Sequence, residues 1–273
     1  MIDDAFTGKL NQLRNRHVFY FPNTGNGGDG FIAYATTWLL RALEIEFTSL
    51  GPNEKAPKGS TVLFGGGGNL IEGKYETLYR TIISNLEGNE AIILPHTVQG
   101  YAELLKHKNV DIFHRDPVSH EAVVDMLPDT GARAHLAHDV TFYLPKDYFQ
   151  SFWQRGNGIF YCFRQDDERA SDLWVEGNQD ISLSWNGSWW TNERLARAST
   201  EAMAAALSGY KMVATDRLHV AILAAFLKKR VFVTANNYYK NEAIYWHSLS
   251  RYFSDISFHP SRQDILDTIN QIY

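Results

Sequence analysis

The feature that most limits the fold is an alternation that runs through most of the chain. Short apolar, β-branched runs are each followed by an amphipathic or alanine-rich stretch. Runs at 17–21, 47–50, 61–64, 91–94, 110–113 and 132–137 read as strands, with helices over 28–43, 75–86 and 118–126. The second half does the same, with strands at 158–163, 211–214 and 230–234 and helices at 192–207 and 217–227. Parallel strands need long crossovers, usually helical, and their sheets are covered on both faces. The pattern therefore predicts an α/β protein built on parallel sheets. A length of 273 residues suits two domains better than one. We expect two Rossmann-like domains facing a cleft, residues 1–150 and 151–273, with the last helix packing back on the first domain. Residues 164–191 lack periodicity and read as a long functional loop or a set of short irregular pieces.

Composition removes several classes of function. Hydrophobic residues make up 44% and charged residues 21%, so wholesale disorder is excluded. A net charge of −5 supplies no basic field for nucleic acid. One cysteine, Cys162, rules out an intrachain disulfide framework and a multi-cysteine zinc site. The best apolar run, 220–227, falls far short of the ~20 residues that cross a bilayer. The start of the chain lacks a signal-peptide profile. These features predict a cytoplasmic protein whose association with membranes, if any, is peripheral.

Polar clusters fall at the carboxyl ends of the expected strands, where open α/β sheets bind ligands. Asn23-Thr-Gly-Asn26-Gly-Gly-Asp29-Gly follows the first strand and opens the first helix. Glycines let the backbone approach a ligand, and a helix N-terminus favours an anion. Asp29 would repel a phosphate, so it contacts a hydroxyl or acts as a base, or else caps the helix. Gly65-Gly-Gly67-Gly-Asn69 follows the third strand run. Four consecutive glycines are entropically expensive, which suits a backbone pressed close to substrate, a hinge being the alternative. Pro95-His96-Thr-Val-Gln99 repeats the placement, with His96 either in the cleft or hydrogen-bonded structurally. Arg115 and Asp116 read as a local ion pair capping the next helix. Ser184-Trp-Asn-Gly-Ser-Trp189-Trp190 sets three tryptophans among small polar residues. Such a segment stacks on a sugar ring or forms a satellite hydrophobic cluster.

The most informative segment is Thr215-Asp-Arg217-Leu218-His219. Thr215 or Asp216 is expected to cap a helix whose first turn carries Arg217 and His219. Free backbone N–H groups, the helix dipole and a guanidinium there favour a phosphate or carboxylate. His219 adds the one side chain of that cluster that titrates near neutrality.

Taken in order, these segments resemble the polysaccharide pyruvyltransferase family from about Asn23 to Tyr245. The pieces are Asn26-Gly-Gly-Asp29, Gly65-Gly-Gly-Gly-Asn69 after its strand, Pro95-His-Thr-Val-Gln99, Arg115-Asp116 with Ser119, Asp139 before Phe142, Arg164 after a strand, and Thr215-Asp-Arg-Leu-His219 with Lys240 downstream. The resemblance implies a two-domain fold similar to GT-B glycosyltransferases, with the active site in the interdomain cleft. It implies transfer of a pyruvyl group from phosphoenolpyruvate to two hydroxyls of a sugar, as a cyclic ketal. The acceptor is then a surface exopolysaccharide or its lipid-linked precursor. By the same resemblance Arg164 and Arg217 hold the donor, the Leu218 backbone assists, and His219 serves in acid–base chemistry.

Asp29 is the base candidate, while Asn26, Gly67, Asn69, His96 and Trp189 are candidates for the acceptor side, assigned to the first domain. The second domain is assigned the donor. No metal or cofactor is expected beyond the donor substrate, because no nucleotide diphosphate leaves. Two other readings use the same residues: a GT-B glycosyltransferase with a nucleotide sugar, and a non-catalytic carbohydrate-binding protein.

Overall fold

The computed structural model describes residues 2–129 and 131–272, and every side chain among them except that of Trp189. It divides into two compact units. The first comprises Met1–Gly25, Asp29–Leu144 and Gly187–Arg197; the second comprises Asn26–Gly28, Pro145–Asn186 and Ala198–Tyr273. The main change of unit thus follows Leu144, and two short segments cross over. Among the described residues no helix is long and apolar enough to cross a membrane.

The first unit is built on strands β1 (His17–Phe21), β2 (Glu46–Ser49), β3 (Thr61–Phe64), β4 (Gly67–Ile71), β5 (Glu90–Gln99), β6 (Val110–His114) and β7 (Arg133–Leu136). Their order across the sheet is β2-β1-β3-β5-β6-β7, with β4 also pairing β5, and all pairs are parallel. Thr61–Phe64 and Val110–His114 are buried at every position, which is why these central strands read as continuous runs. The edge strand Glu46–Ser49 never becomes fully buried.

Two expectations change here. The strand beginning at Glu90 continues through His96 to Gln99, and the glycine run re-enters the sheet as Gly67–Ile71. Proline lacks the N–H a ladder needs and marks a bulge inside a sheet. Pro95 lies where the register slips between Ile93 and His96, so the strand bends at the proline and goes on. A short helix, Ala5–Asn11, was not expected; Asp4 starts it with a capping box to Thr7, and Phe6 packs edge-on against Phe113 and Tyr143.

The second unit has a four-stranded parallel sheet of β8 (Ile159–Cys162), β9 (Met212–Thr215), β10 (Arg230–Thr234) and β11 (Ile256–His259), ordered β11-β10-β9-β8. The helix Leu218–Phe226 is the β9–β10 crossover, and all its residues except His219 are buried. The last helix, Arg262–Asn270, is capped by Ser261 and sends Ile265 and Ile269 into a core with Phe163, Ala214 and Phe232 of its own unit. Residues 164–191 contain no α-helix, only turns, short 3-10 segments and a two-residue strand.

Candidate functional site

In the first unit the glycine motifs converge. Asn23, buried just after β1, donates through Nδ2 to Gly66 O at 2.9 Å and to Asn69 Oδ1 at 2.8 Å. A Cβ on Gly65 would lie 2.7 Å from Asn23 N, and one on Gly66 would lie 2.6 Å from Pro95 O. These glycines are therefore needed where the chain meets its own backbone. Gly67 is buried at a φ of +146°, and a Cβ there would press on Asn23 Nδ2 at 2.8 Å and face Asp29 Oδ1 at 3.5 Å. A Cβ on Gly25 would run into the Asp29 carboxylate, which folds back over the turn.

His96 is fully buried and serves this loop. Its Nδ1 sits 3.2 Å from Gly65 O, an obligate acceptor, and its Nε2 receives Asn69 N–H at 3.2 Å. Nε2 also lies 3.1 Å from Asn69 Oδ1, so both ring nitrogens are engaged by the loop. Burial, and then the nearby Arg115 charge, hold its pKa well below the usual histidine range. This places His96 beneath the loop instead of on a solvent-facing wall. Below it, Arg115 pairs with Asp139 at 2.7 Å, with 1% and 0% of their side chains exposed. Asp116 caps the next helix through Ser119 N, as expected, but the ionic partner of Arg115 is Asp139.

Tryptophan serves the same unit. Trp190 is buried, donates to Gly25 O at 3.3 Å, and lies so close to Gly30 that a Cβ there would meet its ring at 2.9 Å. It packs in the interior, whereas Trp185 is half-buried. The expected role of Trp189 falls on a side chain outside the described residues.

The second unit gathers charge. Arg164, directly after Phe163, places Nε 2.8 Å from Asp166 Oδ1 and Nη2 2.7 Å from Glu168 Oε2. Arg217 is gripped on its Nε and Nη2 edge by Asp180, the Nε contact being 2.9 Å, and Nη2 also meets Asp166 Oδ2 at 2.8 Å. Both guanidinia thus converge on one carboxylate. Burial works against the Arg217 charge, yet Asp180 and then Asp166 raise its pKa above the ordinary arginine value. Its Nη1 is buried and has no hydrogen-bond partner among the described residues. Lys240 shares Glu168 at 2.9 Å.

Asp216 ties this cluster to the fold. Its Oδ1 accepts from Arg164 N at 2.6 Å, and its Oδ2 accepts from Arg262 Nη2 at 2.9 Å. Drawn into those bonds, it does not cap the following helix; Arg217 itself occupies the N-cap position without a side-chain cap. Thr215 Oγ1 instead accepts from Arg217 N at 2.9 Å. Leu218 and His219 thus open the helix. Arg164 and Arg262 also line a cavity of about 270 Å³ with Gln165, Arg169, Ser171 and Trp174.

His219 is half-buried and belongs with the 26–28 segment. A Cβ on Gly28 would lie 2.8 Å from His219 Nδ1 and 3.0 Å from Asn26 Oδ1. Asn26 Oδ1 accepts from Gly28 N at 2.8 Å, fixing the turn on which the imidazole rests. Gly27 has a separate reason to be glycine, since a Cβ would crowd Met203 Sδ at 3.1 Å and Ser182 O at 3.3 Å.

A family model described as polysaccharide pyruvyl transferase matches residues 26–238. The chain belongs to the polysaccharide pyruvyl transferase family. The matched span opens on Asn26 and takes in Asp29, the glycine run, His96, Arg164 and the Arg217-Leu218-His219 turn. Its fold is similar to a crystal structure from Klebsiella pneumoniae subsp. pneumoniae NTUH-K2044, that of a functionally uncharacterized protein. The TM-score is 0.81 at 34% identity, covering 95% of this chain and 100% of that one. A comparison with curated proteins finds no significant match.

Sequence reasoning singled out the two arginines but missed the carboxylates that hold them. Asp166 and Glu168 were visible in an acidic run that starts two positions after Arg164. Asp180 reaches Arg217 across 37 positions and carried no local signal.

Proposed function

We propose that this protein transfers a pyruvyl group from phosphoenolpyruvate to two hydroxyls of one sugar in a surface polysaccharide or its lipid-linked precursor. The observation that carries the reading is the convergence of Arg164 and Arg217, both more than nine-tenths buried, on one carboxylate. A compact molecule bearing a phosphate and a carboxylate suits such a pair better than a nucleotide base and ribose do. The helix that starts at Leu218 carries no side-chain cap, and a helix N-terminus favours an anion.

In the reaction, one sugar hydroxyl adds to C2 of the donor while the methylene carbon takes up a proton and becomes a methyl group. The second hydroxyl then displaces phosphate and closes the ketal. Two hydroxyl protons are released: one balances the proton gained by carbon and the other leaves with phosphate. His219, in the first turn after Arg217, is the proposed proton donor to carbon, and Asp29 the proposed acceptor of a hydroxyl proton. No step calls for a metal or a further cofactor.

The test incubates the protein with phosphoenolpyruvate and a panel of sugar acceptors, following phosphate release and ketal formation together. His219→Gln should lower turnover by about 10²–10⁴, because an amide cannot deliver a proton. Phosphate release without a ketal on any acceptor sinks the reading. Thermal stabilisation by a nucleoside diphosphate and not by phosphoenolpyruvate would point to glycosyl transfer instead.

A further inference from the structure

The carboxylates around Arg164 and Arg217 are of two kinds. Glu168 and Asp180 are sealed, with 6% and 2% of their side chains exposed, and each grips one arginine. Asp166 is 31% exposed and touches both. With Lys240, the cluster carries three positive charges; Glu168 and Asp180 cancel two, and Asp166 cancels the third. Burial raises the Asp166 pKa, but Arg164 and then Arg217 outweigh it and hold the group below the usual carboxylate range. Asp166 stands in a stretch without helix or strand, held locally by Glu168 N, which donates to its Oδ1 at 3.2 Å, and by Arg169 N, which donates to its carbonyl at 3.1 Å.

Its two oxygens are fully used. Oδ1 meets Arg164 Nε at 2.8 Å, while Oδ2 meets Arg164 Nη2 at 3.1 Å and Arg217 Nη2 at 2.8 Å. The buried Nη1 of Arg217 has no hydrogen-bond partner among the described residues. A carboxylate has no third oxygen to offer it, whereas a phosphate does. We propose that Asp166 is an internal occupant of the anion seat between Arg164 and Arg217, displaced by the donor's phosphate, and that it thereby sets donor affinity. The proposal rests on assigning these arginines to the donor. Glu168 and Asp180 stay in place through the exchange and keep the guanidinia aimed. Asp166 swings to water, and the charge it neutralised is taken over by the incoming anion.

The consequence runs against the usual effect of deleting a salt-bridge partner: removing this carboxylate strengthens anion binding. When the competent form is a minority, apparent affinity falls by its fraction, so eliminating the competitor restores it. Inorganic phosphate and phosphoenolpyruvate are titrated separately into wild type, Asp166→Asn and Asp166→Ser by calorimetry. Both variants should bind phosphate roughly tenfold more tightly, as for a seat open about one tenth of the time. Arg217→Ala should erase that gain. Equal or weaker phosphate binding by the folded variants, or no phosphate binding by any form, overturns the proposal.

Should both variants fail to fold, amide exchange on wild type decides. Saturating phosphate must raise exchange in residues 165–180 as Asp166 lets go, and unchanged exchange refutes the displacement. A phosphate gain in the variants with no ketal from phosphoenolpyruvate would leave the displaced carboxylate standing and remove the pyruvyl-transfer reading. The two ideas can therefore fail separately.

Discussion

The two units bury polar groups in different ways. Around the glycine run of the first, amides, backbone carbonyls and a neutral imidazole predominate beside the Asp29 carboxylate, and the Arg115–Asp139 ion pair beneath them is sealed from water. In the second, guanidinia, carboxylates and an ammonium share partners, and one carboxylate is left partly in water. Neutral hydrogen bonds fix a shape, because they are directional and each donor hydrogen needs an acceptor in line. A charged cluster with shared partners fixes a field and tolerates an exchange of ions. The first arrangement suits a rigid backbone cradle, the second a seat for a charged ligand.

The largest expected effect comes from breaking each ion pair. Arg115→Ala strands the fully buried Asp139 and should cost about 3–5 kcal/mol in urea unfolding. Arg217→Ala should fall at the lower end of that range, because Asp166 can turn to solvent although Asp180 cannot. A milder Arg115→Ala would break the contrast between a sealed pair and a shared one.

Mild acid should separate the units next. His96 and His114, the latter down at about 3, are held neutral chiefly by burial, so below pH ~6.5 the unfolded chain binds protons that the first unit refuses. Their stabilisation is present above that pH and is lost as the pH falls. In the second unit His259 shifts the same way. The stability that the lowered Asp166 contributes is lost only once the pH falls into the carboxylate range and below, and the raised Asp216 titrates with the opposite sign, taking its proton first in the folded state. Amide exchange between pH 6.5 and about 4 should therefore show first-unit peptides losing protection earlier. Simultaneous loss would mean that the neutral histidines do not set acid stability.

Two smaller changes sharpen the comparison. Gly66→Ala drives a methyl toward Pro95 O and should destabilise by about 1–3 kcal/mol, with phosphate affinity unchanged. Altered phosphate binding would tie the cradle to the anion seat. Ser261→Ala removes the cap of the last helix and should cost about 1 kcal/mol by thermal unfolding, the scale of a local loss that touches neither network.

The fold was legible where most positions of a run are buried. His17–Phe21, Thr61–Phe64 and Arg230–Thr234 are strands over the residues read for them, because most of their positions face a core. Reading failed at Pro95, where a local rule against proline in strands met a bulge that accommodates it. Ile256–His259 is half-buried throughout and leaves no apolar run to notice. At the proposed site, Arg217 and His219 drew notice through charge and placement, and Arg164 through the family resemblance. His96 was ambiguous because a polar residue at the carboxyl end of a strand has the same neighbours in sequence whether it faces water or a glycine turn. Nor can sequence reveal that the Arg217 fork is already held along one edge, since Asp180 becomes its neighbour only through folding.

Trp190 carries one more consequence, for the order in which the molecule is made. Its indole completes the first unit from a segment that follows much of the second, and its hydrogen bond to Gly25 spans 165 positions. A nascent chain that has emerged only as far as Leu144 has every strand of the seven-stranded sheet but lacks the ring that lies against Gly30. Contacts this distant in sequence close late and slow folding. The first unit therefore cannot finish as an independent N-terminal piece during synthesis, and a fragment cut at the change of unit would carry an indole-sized gap. Chain order thus makes completion of the first unit wait for the segment that carries Trp190.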